Sequence, residues 1–300
     1  MPESFIDIHS ISELHQLYGV GKPKHPLITV VDLAKTQVNY RKKAASYRLS
    51  FYTIFCKQVN GTVKYGRSYY DFSEGSMMFT APGQVITSRA DSYAETGWGL
   101  FFHPDLIYNC SLGRRIKEYT FFYYEISEAL HISQEEKDTL EACLQNIRKE
   151  YTQNIDKHTH TLIQSNIELL LNYCSRFYER QFYTRQKVSN DAVQQFEKLL
   201  NDYFAQPTLI NTGLPSVAYF AEQMHLSPNY LSDLLHRFTG KTTQEYIHLQ
   251  VVDKAKSLLW STDQSVSEIA YALGFGYPSQ FSRLFKNKTG YAPSEYRHLN

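Results

Sequence analysis

The chain has 300 residues, the length of two domains, and its 42% hydrophobic content is enough to fill two cores. The formal net charge is +1, so bulk charge announces no polyanionic partner, and any nucleic-acid contact has to rest on a local patch. The N-terminus lacks a basic start followed by an apolar run, and no stretch approaches roughly 18 uncharged apolar residues. That pattern predicts a cytoplasmic protein with no export signal and no membrane partner. Cys56, Cys110, Cys143 and Cys174 lie far apart with no C-x-x-C spacing, and read as reduced thiols rather than disulfides or a metal site.

From Leu27 to about Phe102 the pattern is strand-like. Leu27 to Val31 and Arg48 to Val59 are rich in β-branched and aromatic residues, and Gly61, Gly66, Gly75, Pro82-Gly83 and Gly97 punctuate the segment. Short strands separated by turn signals predict a small barrel or sandwich. The piece Gly75 to Gln84, GSMMFTAPGQ, resembles the strand and turn of cupin-type domains. A cupin enzyme would carry a His-x-His pair on a strand, and none occurs here. His158 and His160 have that spacing but open a predicted helix, where residues two apart point in different directions. His103, before Pro104, reads as a helix-entry residue. Neither a G-x-S-x-G elbow nor a phosphate-cradling glycine loop is present, so no catalytic residue, metal ligand or cofactor is assigned. Tyr40, Tyr47, Tyr52, Tyr65, Tyr69, Tyr70 and Tyr93 cluster in the strand region. They would suit either a pocket for a small effector or the half-wet strands of a thin barrel, and no ligand-binding residue is singled out.

After Pro104 the period becomes helical. Ser133 with Glu136 makes a capping box, and Leu140, Leu144, Ile147 and Tyr151 form a stripe running to about Asn154. A second helix, Thr161 to about Tyr178, carries Leu162, Ile163, Ile167, Leu170, Leu171 and Cys174. These two helices either cover the barrel or form a dimer interface. Arg180 to Asn190 is polar and aperiodic, which places the domain linker there and divides the chain into residues 1–185 and 186–300.

Ala192 to Phe204 opens the C-terminal half as a helix with Phe196, Leu199, Leu200 and Tyr203 inward, and Pro207 to Pro215 is a loop. Two similar units follow. Pro228 to Tyr246 aligns with Pro278 to Tyr296 at an offset of 50, with identities at Pro, Ser, Leu, Thr, Gly, Glu and Tyr. Upstream the offset becomes 49, pairing Val217 with Val266, Ala221 with Ala270 and Leu226 with Phe275. In the second copy Ser265 and Glu268 form a capping box, Gly274 ends the first helix, and Pro278 starts the next, with Phe281, Leu284 and Phe285 inward. The first copy has Ser227 as N-cap, Pro228 at the first turn, and Leu231, Leu234, Leu235 and Phe238 inward. Between them Thr242 and Glu245 cap a connecting helix, Thr243 to about Leu259, with Ile247, Val251, Ala255 and Leu258 buried.

A helix with a polar outer face behind a tight turn is what a helix-turn-helix presents to the DNA major groove. Ile269-Ala270, Gly274-Phe275, Phe281-Ser282-Arg283, Phe285-Lys286, Gly290, Pro293 and Tyr296-Arg297 together resemble the AraC/XylS family of bacterial transcription regulators. The resemblance implies an α+β two-domain protein. Its N-terminal half would be a small cupin-like β-barrel with flanking helices, serving as a sensor or dimerisation domain. Its C-terminal half would be an all-α DNA-binding domain of two helix-turn-helix units joined by a linker helix. It also implies promoter DNA as partner, with RNA polymerase, a second copy of the chain and a small-molecule effector as further candidates. The alternative is a cupin-type metal-dependent enzyme fused to a DNA-binding module.

Helical position and the family's use of equivalent positions assign base reading to Asn229, Ser232 and Asp233 in a recognition helix at about 227–238. In the second, at about 277–288, they assign it to Ser279, Gln280 and Arg283. Arg283 suits guanine and Asn229 adenine. Tyr230, His236, Arg237 and Lys286 are assigned to phosphate or sugar. Tyr277 to Gly290 holds Arg283, Lys286 and Lys288 with no acid, the one local basic patch. Asp233 departs from the family pattern, in which many members have a basic or neutral residue there; an acid near phosphates is repelled unless it accepts from cytosine N4.

Overall fold

The computed structural model describes residues 5–36, 45–58, 75–88, 96–184, 186–206 and 213–298. The chain folds as two units, Met1–Thr184 and Arg185–Asn300.

The first unit begins with two elements that the strand pattern from Leu27 onward does not include. These are β1 (Phe5–Ile8) and α1 (Ile11–Tyr18), the latter capped by the Ser10 side chain and ended by Gly19 in the left-handed region at φ 63°. Then come β2 (Ile28–Asp32), β3 (Ala45–Leu49), β4 (Tyr52–Gln58), β5 (Gly75–Thr80), β6 (Val85–Ser88), β7 (Thr96–Phe102) and β8 (Leu130–Ile132). Among the described residues the strands form two open sheets, not the closed barrel expected. One is ordered β1-β3-β6, with β1 parallel to β3; the other is β2-β7-β4-β5-β8, all antiparallel.

The face a residue occupies follows from strand alternation. Val31, Phe55 and Phe101 point from the larger sheet into a layer they share with Ile8, Ile11, Leu14, Leu49 and Phe51. Phe55 and Phe101 meet edge to face there at 5.3 Å. Ile54, Cys56, Met77, Phe79, Leu100 and Phe102 occupy the opposite face, all buried. That side is covered by the segment around Phe121 and Phe122 and by two long helices. These are α3 (Gln134–Thr152), which follows the short α2 (Ser111–Arg115), and α4 (Thr159–Thr184). Full burial of each large apolar side chain contributes about 1.5–3 kcal/mol, which makes this helix–sheet–sheet stack the stabilising unit. His103 caps the short turn at Pro104, its ring accepting from the Asp105 amide. Of the clustered tyrosines, Tyr52 stacks on Phe102 at 5.2 Å, while Tyr40, Tyr65, Tyr69, Tyr70 and Tyr93 lie outside the described residues.

Ser133 and Glu136 exchange both bonds of a capping box at the start of α3, and Leu140, Leu144, Ile147 and Tyr151 are buried along it. Two expectations for α4 are corrected. Leu162 is exposed rather than in the stripe, and the helix runs six residues past Tyr178 through the segment read as a polar linker. The extension has a cause in packing. Gln181 is buried, accepting from the His131 amide at 2.8 Å and donating to the Ala129 carbonyl at 3.1 Å. Arg180 meanwhile forks onto Glu136 at 2.9 and 2.8 Å and reaches the His131 carbonyl. Both side chains are polar, yet both are built into the fold.

The second unit is all helix: α5 (Gln186–Ala205), α6 (Val217–Gln223), α7 (Pro228–Thr239), α8 (Thr243–Ser261), α9 (Val266–Ala272), α10 (Pro278–Thr289) and α11 (Pro293–Arg297). α5 starts six residues before the predicted Ala192 and packs Phe196, Leu200, Tyr203 and Phe204 inward; of the loop expected after it, residues 207–212 lie outside the described residues. α8 is the axis of the unit. Its buried residues are Thr243, Ile247, Val251, Val252, Ala255 and Leu259, two faces rather than one stripe, with Leu258 only half-buried. The widening follows from its position, since α7 packs on it from one side and α9, α10 and α11 from the other. Among the described residues no helix is long and apolar enough to cross a membrane.

Candidate nucleic-acid interface

Each polar helix is delivered by a turn that the chain builds twice. In the first, α6 is capped by the Ser216 side chain and closes with the Leu226 amide donating to the Ala221 carbonyl at 2.9 Å. In the second, α9 is capped by Ser265 and Glu268, and the Phe275 amide donates to the Ala270 carbonyl at 3.0 Å. Both turns need one left-handed residue. Gly274 supplies it at φ 86°, and His225 supplies it in the first copy at φ 54°, the single non-glycine residue with positive φ among those described. The helices then start on proline, Pro228 and Pro278, whose missing amide costs nothing at a first turn.

The far ends of the two helices also match. Gly240 and Gly290 are left-handed at φ 73° and 84°, and their amides donate to the carbonyls of His236 and Lys286, both at 2.8 Å. Thr239 and Thr289 each bond the carbonyl four residues back and latch the residue two ahead, Lys241 and Tyr291. The turn and the closing bonds of one recognition unit are repeated in the other, while the helix entries differ: the Ser227 side chain caps α7, and Tyr277 gives α10 no side-chain cap.

The side chains on these frames differ. On α10 the inward residues are Phe281 and Phe285, both fully buried, and Ser279, Gln280, Arg283 and Lys286 are all exposed or half-exposed on the outer side. Leu284, expected inward, is half-buried. Asn287 and Lys288, which helical position alone does not assign to DNA, lie on the same helix, so the basic patch extends through its last turn. On α7, Leu231, Leu234 and Leu235 are buried and Phe238 is half-buried. His236 is exposed, while Tyr230, Ser232, Asp233 and Arg237 are half-buried. Ser232 shares a 3.1 Å hydrogen bond with Thr243, which bolts α7 to the first turn of α8.

Charges around the connecting helix are arranged to hold this frame. Glu245 accepts from the Thr242 amide at 2.7 Å, and that bond, then its bond with the Thr242 hydroxyl, lowers the carboxyl below its ordinary value; Lys288 and His236 act in the same direction. His248 is lowered by burial first and by Lys288 second, which favours the neutral ring. Lys254 donates to the Phe204 carbonyl and so closes the C-terminal end of α5. At the other end of α8, Arg297 donates to the Leu259 and Gln264 carbonyls. In the sequence Tyr296-Arg297 is part of a family pattern; the structure makes the pair a clamp, with Tyr296 also stacked on Trp260 at 5.2 Å.

Residues 220–298 match a family model described as a helix-turn-helix domain. The chain is 36% identical over 110 residues to the HTH-type transcriptional activator RhaS of Enterobacter sp. (strain 638), an alignment covering 36% of this chain and 37% of that one. The RhaS of Salmonella paratyphi B gives the same figures. The match thus spans little more than a third of the length of these relatives. Among solved structures, the chain is 26% identical to the C-terminal domain of the response regulator yesN from Fusobacterium nucleatum, covering 36% of this chain and 99% of that one at a TM-score of 0.32. The C-terminal domain of AraT from Geobacillus stearothermophilus is 27% identical, covering 36% and 85% at a TM-score of 0.33. The matched part of this chain is thus a helix-turn-helix domain, with the helix-turn-helix built twice about one connecting helix.

Proposed function

We propose that the chain is a sequence-specific DNA-binding transcription regulator of the cytoplasm, and not an enzyme. The observation that carries this reading is the repeat of the turn and the closing bonds that frame a polar helix, with Ser279, Gln280, Arg283 and Lys286 exposed on the outer side of the second copy. Arg283 forks onto a guanine edge, with Ser279 and Gln280 at neighbouring bases and Lys286 on phosphate. On α7, Asn229 and Asp233 read bases and Tyr230, His236 and Arg237 hold sugar or phosphate. The Ser232 hydroxyl, engaged with Thr243, braces the helix. α8, with 19 residues, is about 28 Å long and suits two helices set in successive major-groove segments. The N-terminal unit, read as a cupin-like sensor or dimerisation module, would pass the signal of an effector or a second copy to the DNA domain, with RNA polymerase as a downstream partner.

Selection of bound genomic fragments with the full chain tests the reading. The expected result is an enriched motif of two half-elements about one helical turn, or ~34 Å, apart. Fragments recovered without any shared motif would count against sequence-specific reading.

A further inference from the structure

Register places Asp32 of β2 beside Trp98 of β7, on the helix-covered face and at the open end of the larger sheet. α3 crosses that end and presents Lys137, Glu141, Gln145 and Arg148 along one side, spaced four, four and three residues apart. Together these groups line a cleft of about 310 Å³, within the size range of small-ligand sites. It lies on the other side of the sheet from the layer filled by Phe55 and Phe101.

Two features of the cleft, an unmet indole donor and unpaired charges, are unexplained by folding alone. Trp98 is only 6% exposed, and its Nε1–H has no acceptor among the described residues. Such a buried donor is costly to leave unmet. Gly97, next to it, holds φ 134°, and a Cβ there would run into the Cys56 carbonyl, so the strand that carries the indole is pinned against β4. Asp32 is engaged with Lys35 at 3.1 Å and the Ala34 amide, and Arg148 donates a hydrogen bond to the Tyr151 hydroxyl, but Lys137, Glu141 and Arg148 enter no ion pair among the described residues.

We infer that this cleft is a binding site for a small zwitterion of amino-acid size. Two cations and two carboxylates face one small volume. A simple anion meets Glu141, a simple cation meets Lys137 and Arg148, and an apolar molecule desolvates these three with no opposite charge in return. A molecule with both charges a few ångströms apart satisfies each set: its carboxylate takes the Arg148 fork or Lys137, and its ammonium takes Glu141. The inference stands apart from the DNA reading, since its test contains no DNA.

The chain has two tryptophans, so the full-length Trp260→Phe protein reports on Trp98 alone. Its emission is titrated with the common amino acids, with acetate and ethylammonium as single-charge probes and glucose as a neutral one. At least one amino acid should give a saturable change that the three controls do not. Adding Arg148→Ala or Glu141→Gln should weaken it about tenfold with the circular dichroism spectrum unchanged. Absence of any saturable response at millimolar amino acid overturns the inference. So does an equal response to acetate, or an affinity that Glu141→Gln leaves intact.

Discussion

Arg283 concentrates the base-reading proposal in one side chain. It lies on the outer side of α10, away from Phe281 and Phe285, whose burial holds the helix. Removing it takes away a bidentate donor without touching the core, so Arg283→Ala should lower operator affinity by about 1–3 kcal/mol while the melting temperature stays put. A titration at fixed salt that finds unchanged affinity would remove Arg283 from the reading. Gly274 makes the complementary argument about the backbone. At φ 86° a Cβ is strained whatever space surrounds it, so Gly274→Ala should cost about 1 kcal/mol of stability in urea unfolding. The first copy tolerates His225 at the same place, with φ 54° closer to the left-handed minimum open to side chains, and His225→Ala should therefore be far milder. Equal costs at both positions would show that the turn, not the residue's conformational freedom, sets the penalty.

Helix starts were legible wherever their cause is local. Ser133 with Glu136, Thr242 with Glu245 and Ser265 with Glu268 stand three residues apart and close the capping boxes that this spacing predicts. The same boxes give an acid dependence. Bonds from the Thr242 and Ser265 amides lower the carboxyls of Glu245 and Glu268, so each is more acidic folded than unfolded. Their contribution is complete above the ordinary glutamate value of 4.5 and is lost as pH falls from there through the lowered folded values. Thermal unfolding of the full chain should steepen below that pH, and Glu245→Gln should flatten the C-terminal unit's share; an unaltered pH profile would mean that the box is not what titrates. Elements with distant causes were not legible. β1 is four residues long and exists through parallel pairing with β3, some forty residues on. The end of α4 looked like a linker because Arg180 and Gln181 are polar, and their partners Glu136, His131 and Ala129 sit far back in the chain. Ser232 counted as outward by helical position, whereas its bond to Thr243 depends on how α7 folds back on α8.

Two cores make the molecule two stability problems. The first is long-range, built from strands whose partners lie tens of residues apart, and its sheet order could not be read from alternation alone. The second is built from short helices joined by local turns, and its order follows the chain. Each core closes within its own unit: Phe101 is fully buried among Tyr18, Phe55 and the inter-sheet layer, and Phe281 is fully buried between Phe275 and Phe285. Either phenylalanine cut to alanine leaves a cavity costing about 3–5 kcal/mol. Calorimetry of the full chain should therefore resolve two transitions, because the β-rich and the helical unit differ in core size and in how far apart in sequence their packed residues lie. Phe101→Ala should lower one midpoint and spare the other, and Phe281→Ala should do the reverse, with only the latter eroding operator binding in proportion to the unfolded fraction. If either substitution moved both midpoints together, the chain would be unfolding as one cooperative body, and a ligand bound in the first unit would then bear on the C-terminal unit through stability itself.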